Sequence, residues 1–259
     1  MQDKAILVVS FGTSYRETCE RTIEALEADL RARFPDRRFY RAWTSKIICR
    51  KMAAQGNPID SVEESLERML RDGIRDLLVQ TTHMLAGEEY AITLDALNAR
   101  RSDFSSLRFG APLLENRSDL EELAQILEHS FPLVEDDSFL VFMGHGSDSI
   151  DTPIYEDLER CFKRDGYSNY FVGTVEFDPG FAPILERIRT ERPKKVYLTP
   201  LMVVAGDHAN NDMAGDDPDS WRSQIAAEGI EPACLLKGMG EYPAIREMYI
   251  KHAENANNI

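Results

Sequence analysis

Short apolar runs rich in Val, Ile and Leu alternate along this chain with longer stretches of helical period. That alternation is the pattern of a parallel sheet covered by helices. Strands are predicted over 5–11, 39–43, 76–82, 108–113, 138–144, 170–175, 195–201 and 232–236, and amphipathic helices over 16–33, 61–71, 119–129, 154–164, 183–192 and 242–253. The strands fall into two sets of four. The predicted fold is therefore α/β: two similar doubly wound domains, each a four-stranded parallel sheet flanked by helices.

An internal repeat supports the division. Val8-Val9-Ser10-Phe11-Gly12-Thr13-Ser14 resembles Val141-Phe142-Met143-Gly144-His145-Gly146-Ser147 at an offset of 133, and Leu85-Ala86-Gly87-Glu88-Glu89 resembles Val204-Ala205-Gly206-Asp207-His208 at an offset of 119. Loop insertions between equivalent elements account for the drift. The boundary is expected near 132–137, giving halves 1–131 and 132–259 that face each other across a cleft. In open parallel sheets the ligand crevice lies outside the carboxyl ends of the strands.

Composition excludes whole classes of function. Lys and Arg total 30 against 45 Asp and Glu, a net charge of −15 that repels phosphate backbones and anionic lipid headgroups. No nucleic-acid or membrane partner is expected. No stretch approaches the ~18 apolar residues that span a bilayer, and the apolar run 5–9 is too short for a signal-peptide core. Cys19, Cys49, Cys161 and Cys234 form no C-x-x-C pair, so reduced thiols in a cytoplasmic protein are expected.

His145 and His208 each fall just after a predicted strand of the second half, and Glu176 closes the strand between them. Ends of neighbouring parallel strands, ~4.8 Å apart, can converge on one ion although the chain separates them widely. Two imidazoles and a carboxylate suit a borderline divalent cation such as Co²⁺, Ni²⁺, Fe²⁺ or Zn²⁺ and leave coordination positions open. The bland alternative is three polar strand ends that cap helices or satisfy backbone groups. The equivalent first-half positions are Gly12, Ser45 and Glu89, only one of which binds metal well.

Other features carry less. Ser147 lacks the G-x-S-x-G elbow of a hydrolase nucleophile, and neither G-x-G-x-x-G after the first strand nor a P-loop motif occurs. His83 sits at a first-half strand end, where it either lines the cleft or is a buried, satisfied histidine. Arg41, Lys46, Arg50 and Lys51 cluster after the second strand, as a positive rim for a polycarboxylate or as a solvated helix face.

With these residues in view, the segments 7–15, 142–146 and 200–213, the last reading Pro-Leu-Met-Val-Val-Ala-Gly-Asp-His-Ala-Asn-Asn-Asp-Met, resemble the anaerobic-pathway cobalt chelatases of cobalamin synthesis. The resemblance runs from about residue 5 to about residue 252. It implies a chelatase-like fold with a tetrapyrrole cleft, ATP-independent insertion of Co²⁺ into sirohydrochlorin, and a metal site at His145, Glu176 and His208. No cofactor beyond the substrate metal is implied, and a homo-oligomer is compatible with it. A G-D-E-Y stretch of the family stands here as Gly87-Glu88-Glu89-Tyr90. Substrate contacts are assigned to Ser10, Thr13, Ser14, Glu89 and Tyr90 from their place at strand ends of the first half. His145 is assigned as acceptor of a pyrrole proton while Glu176 and His208 hold the metal. The rival readings are an iron or nickel chelatase for the same or a related ring, and a carrier that binds tetrapyrrole or metal without turnover.

Overall fold

The computed structural model describes residues 3–131, 137–146 and 153–259. Of the boundary expected near 132–137, residues 132–136 lie outside the described residues, as does Ser147. In chain order the first elements are β1 (Lys4–Ser10), α1 (Arg16–Arg21), α2 (Ile23–Arg33), β2 (Arg38–Trp43), α3 (Lys46–Ala54), α4 (Val62–Arg71), β3 (Asp76–Thr81), α5 (Glu88–Ala99) and β4 (Ser106–Gly110). There follow α6 (Arg117–Ser130), β5 (Ser138–Gly144), α7 (Ile154–Arg164), β6 (Tyr170–Thr174), α8 (Ala182–Glu191), β7 (Lys195–Pro200), α9 (Trp221–Ala227), β8 (Glu231–Cys234), α10 (Pro243–Glu254) and β9 (Asn257–Asn258).

The strands form two sheets, ordered β2-β1-β3-β4-β9 and β6-β5-β7-β8. Apart from β9, both share one winding, and every pairing among their eight main strands is parallel. This is the repeated architecture that the sequence predicts. In the first sheet Ala5, Leu7 and Val9 point to one core with Leu66 and Met69 of α4, while Ile6 and Val8 are equally buried on the opposite face. Strands covered on both faces favour near-continuous apolar runs, which is why the period-2 alternation is missing from β1. In the second sheet Phe139, Val141 and Met143 pack with Val196, Leu198 and Ile184, and Phe181 stacks on Trp221 at 4.4 Å between ring centroids.

The compact units differ from the expected halves. One comprises 1–115 with 240–259, the other 116–239. Thus α6, expected in the first half, belongs to the second unit, and α10 returns to the first. Ile245, Met248, Tyr249 and Ala253 of α10 are buried, and the Tyr249 hydroxyl donates to the Thr82 carbonyl at 2.8 Å. Burial of Ile245 and Met248 contributes about 1.5–3 kcal/mol each, which helps hold the helix there. The chain then adds β9 antiparallel to β4, covering a sheet edge that would otherwise present unpaired backbone.

The single helix expected over 16–33 is broken at Thr22, whose hydroxyl donates to the Thr18 carbonyl at 2.6 Å and competes with the backbone ladder. β4 stops at Gly110, ahead of Pro112, rather than at 113. The four cysteines are free thiols, and no helix among the described residues is long and apolar enough to cross a membrane.

Candidate metal centre

The second unit brings His145, Glu176 and His208 together. Pairing continues past the ends of β5 and β6: the Val175 amide donates to the Gly144 carbonyl at 2.9 Å, and the Glu176 amide to the His145 carbonyl at 2.9 Å. The two side chains thereby emerge side by side, His145 Nε2 lying 4.0 Å from Glu176 Oε2. β7 runs on the other side of β5, and the Leu201 amide donates to the Met143 carbonyl at 2.7 Å, which starts the loop carrying His208 towards the same point. The two imidazole rings are 5.0 Å apart and nearly perpendicular. One ligand atom from each of the three residues lies within 4.8 Å of the others.

Gly146 makes the convergence feasible. Its φ is +91°, and a Cβ there would stand 1.7 Å from the Glu176 carbonyl oxygen. Only glycine lets the two backbones meet this closely. The Gly146 amide donates to the Tyr155 hydroxyl at 3.2 Å, tying the turn to α7. Across from it, the Thr174 hydroxyl donates to the Phe177 carbonyl at 2.8 Å and accepts from the Gly180 amide at 3.0 Å, closing the loop after Glu176.

Both rings have their Nδ1 engaged, in His145 with the Gly146 carbonyl at 3.0 Å and in His208 with an Asp212 carboxylate oxygen at 2.8 Å. A carbonyl or carboxylate only accepts, so Nδ1 carries the proton and each Nε2 presents a lone pair. Bond lengths to a divalent ion are ~2.0–2.2 Å, so separations of 4.0 to 4.8 Å must close by about 1 Å for all three groups to coordinate one ion. With side chains half exposed at His145 and Glu176, that adjustment is cheap. Two imidazoles and a carboxylate so placed suit a borderline divalent ion and leave coordination positions open.

The remaining sequence-assigned residues lie in the first unit. Ser10 ends β1 with its buried Oγ unpartnered, and the Thr13 hydroxyl accepts from the Tyr15 amide at 3.2 Å. Ser14 is partly exposed in the following loop. Glu89 and Tyr90 open α5. Glu89 Oε2 is buried without a partner, whereas the Tyr90 ring stacks on Phe109 at 4.8 Å and packs against the first core. Arg41 leaves the expected cationic rim, since its guanidinium is paired with Glu24 and with buried Glu27. Lys46, Arg50 and Lys51 are exposed on α3.

His83 departs from the buried, satisfied reading: the residue is partly exposed, and its Nε2 is buried without a partner. Its Nδ1 is paired with Thr81 Oγ1, and burial pushes the imidazole down to about 4. Between about pH 6.5 and 4 the unfolded chain therefore takes up a proton here that the folded chain refuses. Stability falls across that window as pH drops, by up to about 3 kcal/mol. Urea denaturation at pH 7 and 4.5 is expected to show a smaller acid loss in His83→Gln than in wild type; equal losses would refute this.

A parallel α/β unit with two imidazoles and a carboxylate at its strand ends has the build of a metal-handling chelatase, and solved structures share the fold. SirB from Bacillus subtilis with Fe³⁺ superposes with a TM-score of 0.66 at 10% identity, over 97% of this chain and 94% of that one. CbiX, described as the terminal enzyme for siroheme biosynthesis in denitrifying bacteria, does so with a TM-score of 0.58 at 17% identity, over 98% and 100%. The sequence goes further. The family profile of cobalt chelatase (CbiK) matches residues 4–258, and the chain belongs to that family. It is 40% identical to the sirohydrochlorin cobaltochelatase of Salmonella typhimurium over 99% of this chain and 97% of that protein. It is 33% identical to sirohydrochlorin cobaltochelatase CbiKC of Nitratidesulfovibrio vulgaris, over 97% and 90%.

Proposed function

We propose that this chain inserts Co²⁺ into sirohydrochlorin, the ring losing two pyrrole N–H protons as the metal enters, with no cofactor beyond the metal that is itself a substrate. The observation that carries this reading is the convergence of His145, Glu176 and His208 in a chain of the cobalt chelatase family. Insertion needs a metal that is held and then given up, and a group that accepts protons. The wide ligand spacing and half-exposed side chains support the first requirement. For the second, the half-exposed His145 Nε2 accepts the two pyrrole protons in turn, passing each to solvent, while Glu176 and His208 retain the metal until ring nitrogens replace them. Imidazole is suited to this near neutral pH because its ordinary pKa is ~6.5. The choice of cobalt rests on the family and on the names of its relatives, since iron and nickel accept the same ligand types. The four free cysteines suit a reducing, cytoplasmic setting.

Anaerobic absorbance of sirohydrochlorin with Co²⁺ tests the proposal, with substrate in large excess over protein. Multiple turnovers above the protein-free rate are expected, and parallel runs with Fe²⁺ and Ni²⁺ should be slower. Spectral changes that saturate at one ligand per chain, with no rate above background, would make the protein a carrier.

A further inference from the structure

The loop carrying His208 is knitted to itself at every polar position. Asn211 Nδ2 donates to Asp207 Oδ1 at 3.0 Å, Asn210 Nδ2 donates to the Gly206 carbonyl at 2.6 Å, and His208 Nδ1 meets Asp212 Oδ2 at 2.8 Å. These bonds all span four residues within or beside a single π-helical turn, Ala209–Met213, which the Ala214 amide closes on the Ala209 carbonyl at 3.2 Å. Residues four apart lie nearly above one another in so wide a turn. Ala209 and Met213 thus share a fully buried face in the second core, while His208 and Asp212 share the outer one. The π turn is anchored from below and presents an imidazole–carboxylate pair above.

We propose that Asp212 is the positioning residue of the metal centre, holding His208 as the Nδ1–H tautomer with its Nε2 lone pair directed at the ion. This rests on the reading of His145, Glu176 and His208 as the metal ligands. A carboxylate behind a ligating imidazole fixes the ring and raises its donor strength, and its loss costs ~10–100-fold in metal affinity. His145 has only the neutral Gly146 carbonyl in the same role. The pair His208–Asp212 is therefore the firmer anchor, and His145 the ligand that lets go first.

The test uses the full chain and Co²⁺ alone, so it does not depend on turnover. Co²⁺ is titrated under its visible absorption bands, and imidazole ¹⁵N shifts of the metal-free protein report which nitrogen of His208 carries the proton. Asp212→Ala is expected to weaken Co²⁺ binding 10–100-fold and to release the fixed tautomer. Asp212→Asn, whose amide oxygen can still accept from Nδ1–H, should restore the tautomer and part of the affinity. Wild-type affinity in Asp212→Ala, or a wild-type His208 protonated on Nε2, overturns the proposal. Wild-type Co²⁺ affinity in His208→Ala would instead overturn the metal-site reading beneath it. Because Asp212 is half exposed, its replacements leave the core intact.

Discussion

His145→Ala is expected to slow anaerobic cobalt insertion at least about 100-fold, the lower end of what a positioned proton acceptor contributes. The loss has two sources. The ring is one of three groups within 4.8 Å that can share the ion, and its Nε2 lies 4.0 Å from Glu176 Oε2 while Nδ1 is tied to the Gly146 carbonyl. Truncation removes a ligand and the proposed base together. The His145 side chain is 50% exposed, so little packing is lost and the variant should fold with an unchanged circular dichroism spectrum. Added imidazole can enter the vacated place and should restore part of the rate at millimolar concentration. Initial rates of wild type and variant at saturating Co²⁺ decide the matter. A variant within two-fold of wild type removes His145 from the chemistry and leaves Glu176 and His208 as the acting pair.

The elements that could be read from sequence are those governed by local chemistry. β1 and β5 are legible from the apolar runs Ala5–Val9 and Phe139–Met143, as strands covered on both faces favour, while β3 and β7 also bury Gln80, Thr81 and Thr199; the candidate metal centre is legible from residue types placed near strand carboxyl ends. What escaped was decided by tertiary contacts. The apolar faces of α6 and α10 are evident in sequence, but amphipathicity says which face is buried, not against which sheet. The Tyr249 bond to Thr82 and the β9 pairing to β4 are what assign α10 to the first unit. Arg41 reads as a free cation until Glu24 and Glu27 of α2 are brought beside it. Asp212 was visible only as part of a motif. Its four-residue spacing from His208 is repeated by Asp207 and Asn211, a regularity that signals a common face once a helical turn is assumed. The turn itself is a single π turn after a strand loop, too short for periodicity to reveal.

Gly146→Ala should have the second large effect, on stability and metal binding at once. At φ +91° an alanine stores backbone strain of ~1–3 kcal/mol, and its Cβ would lie 1.7 Å from the Glu176 carbonyl oxygen and 3.3 Å from Thr174 Cβ. The nearer atom is backbone, so relief requires the segment after β6 to move. That movement strains the bond from the Glu176 amide to the His145 carbonyl and carries the Glu176 carboxylate away from His145 Nε2. Overpacking of this kind adds ~1–3 kcal/mol, for a combined loss of roughly 2–6 kcal/mol. Co²⁺ affinity is expected to fall at least ~10-fold, as when a ligand loses its support. Gly166 supplies the control. Its φ is +99° in the same unit, but a Cβ there meets nothing within 4 Å. Gly166→Ala should therefore cost only the strain and bind Co²⁺ as wild type does. If both variants lose metal equally, general destabilisation is responsible. If only Gly146→Ala loses it, the close approach of the two backbones is what builds the site.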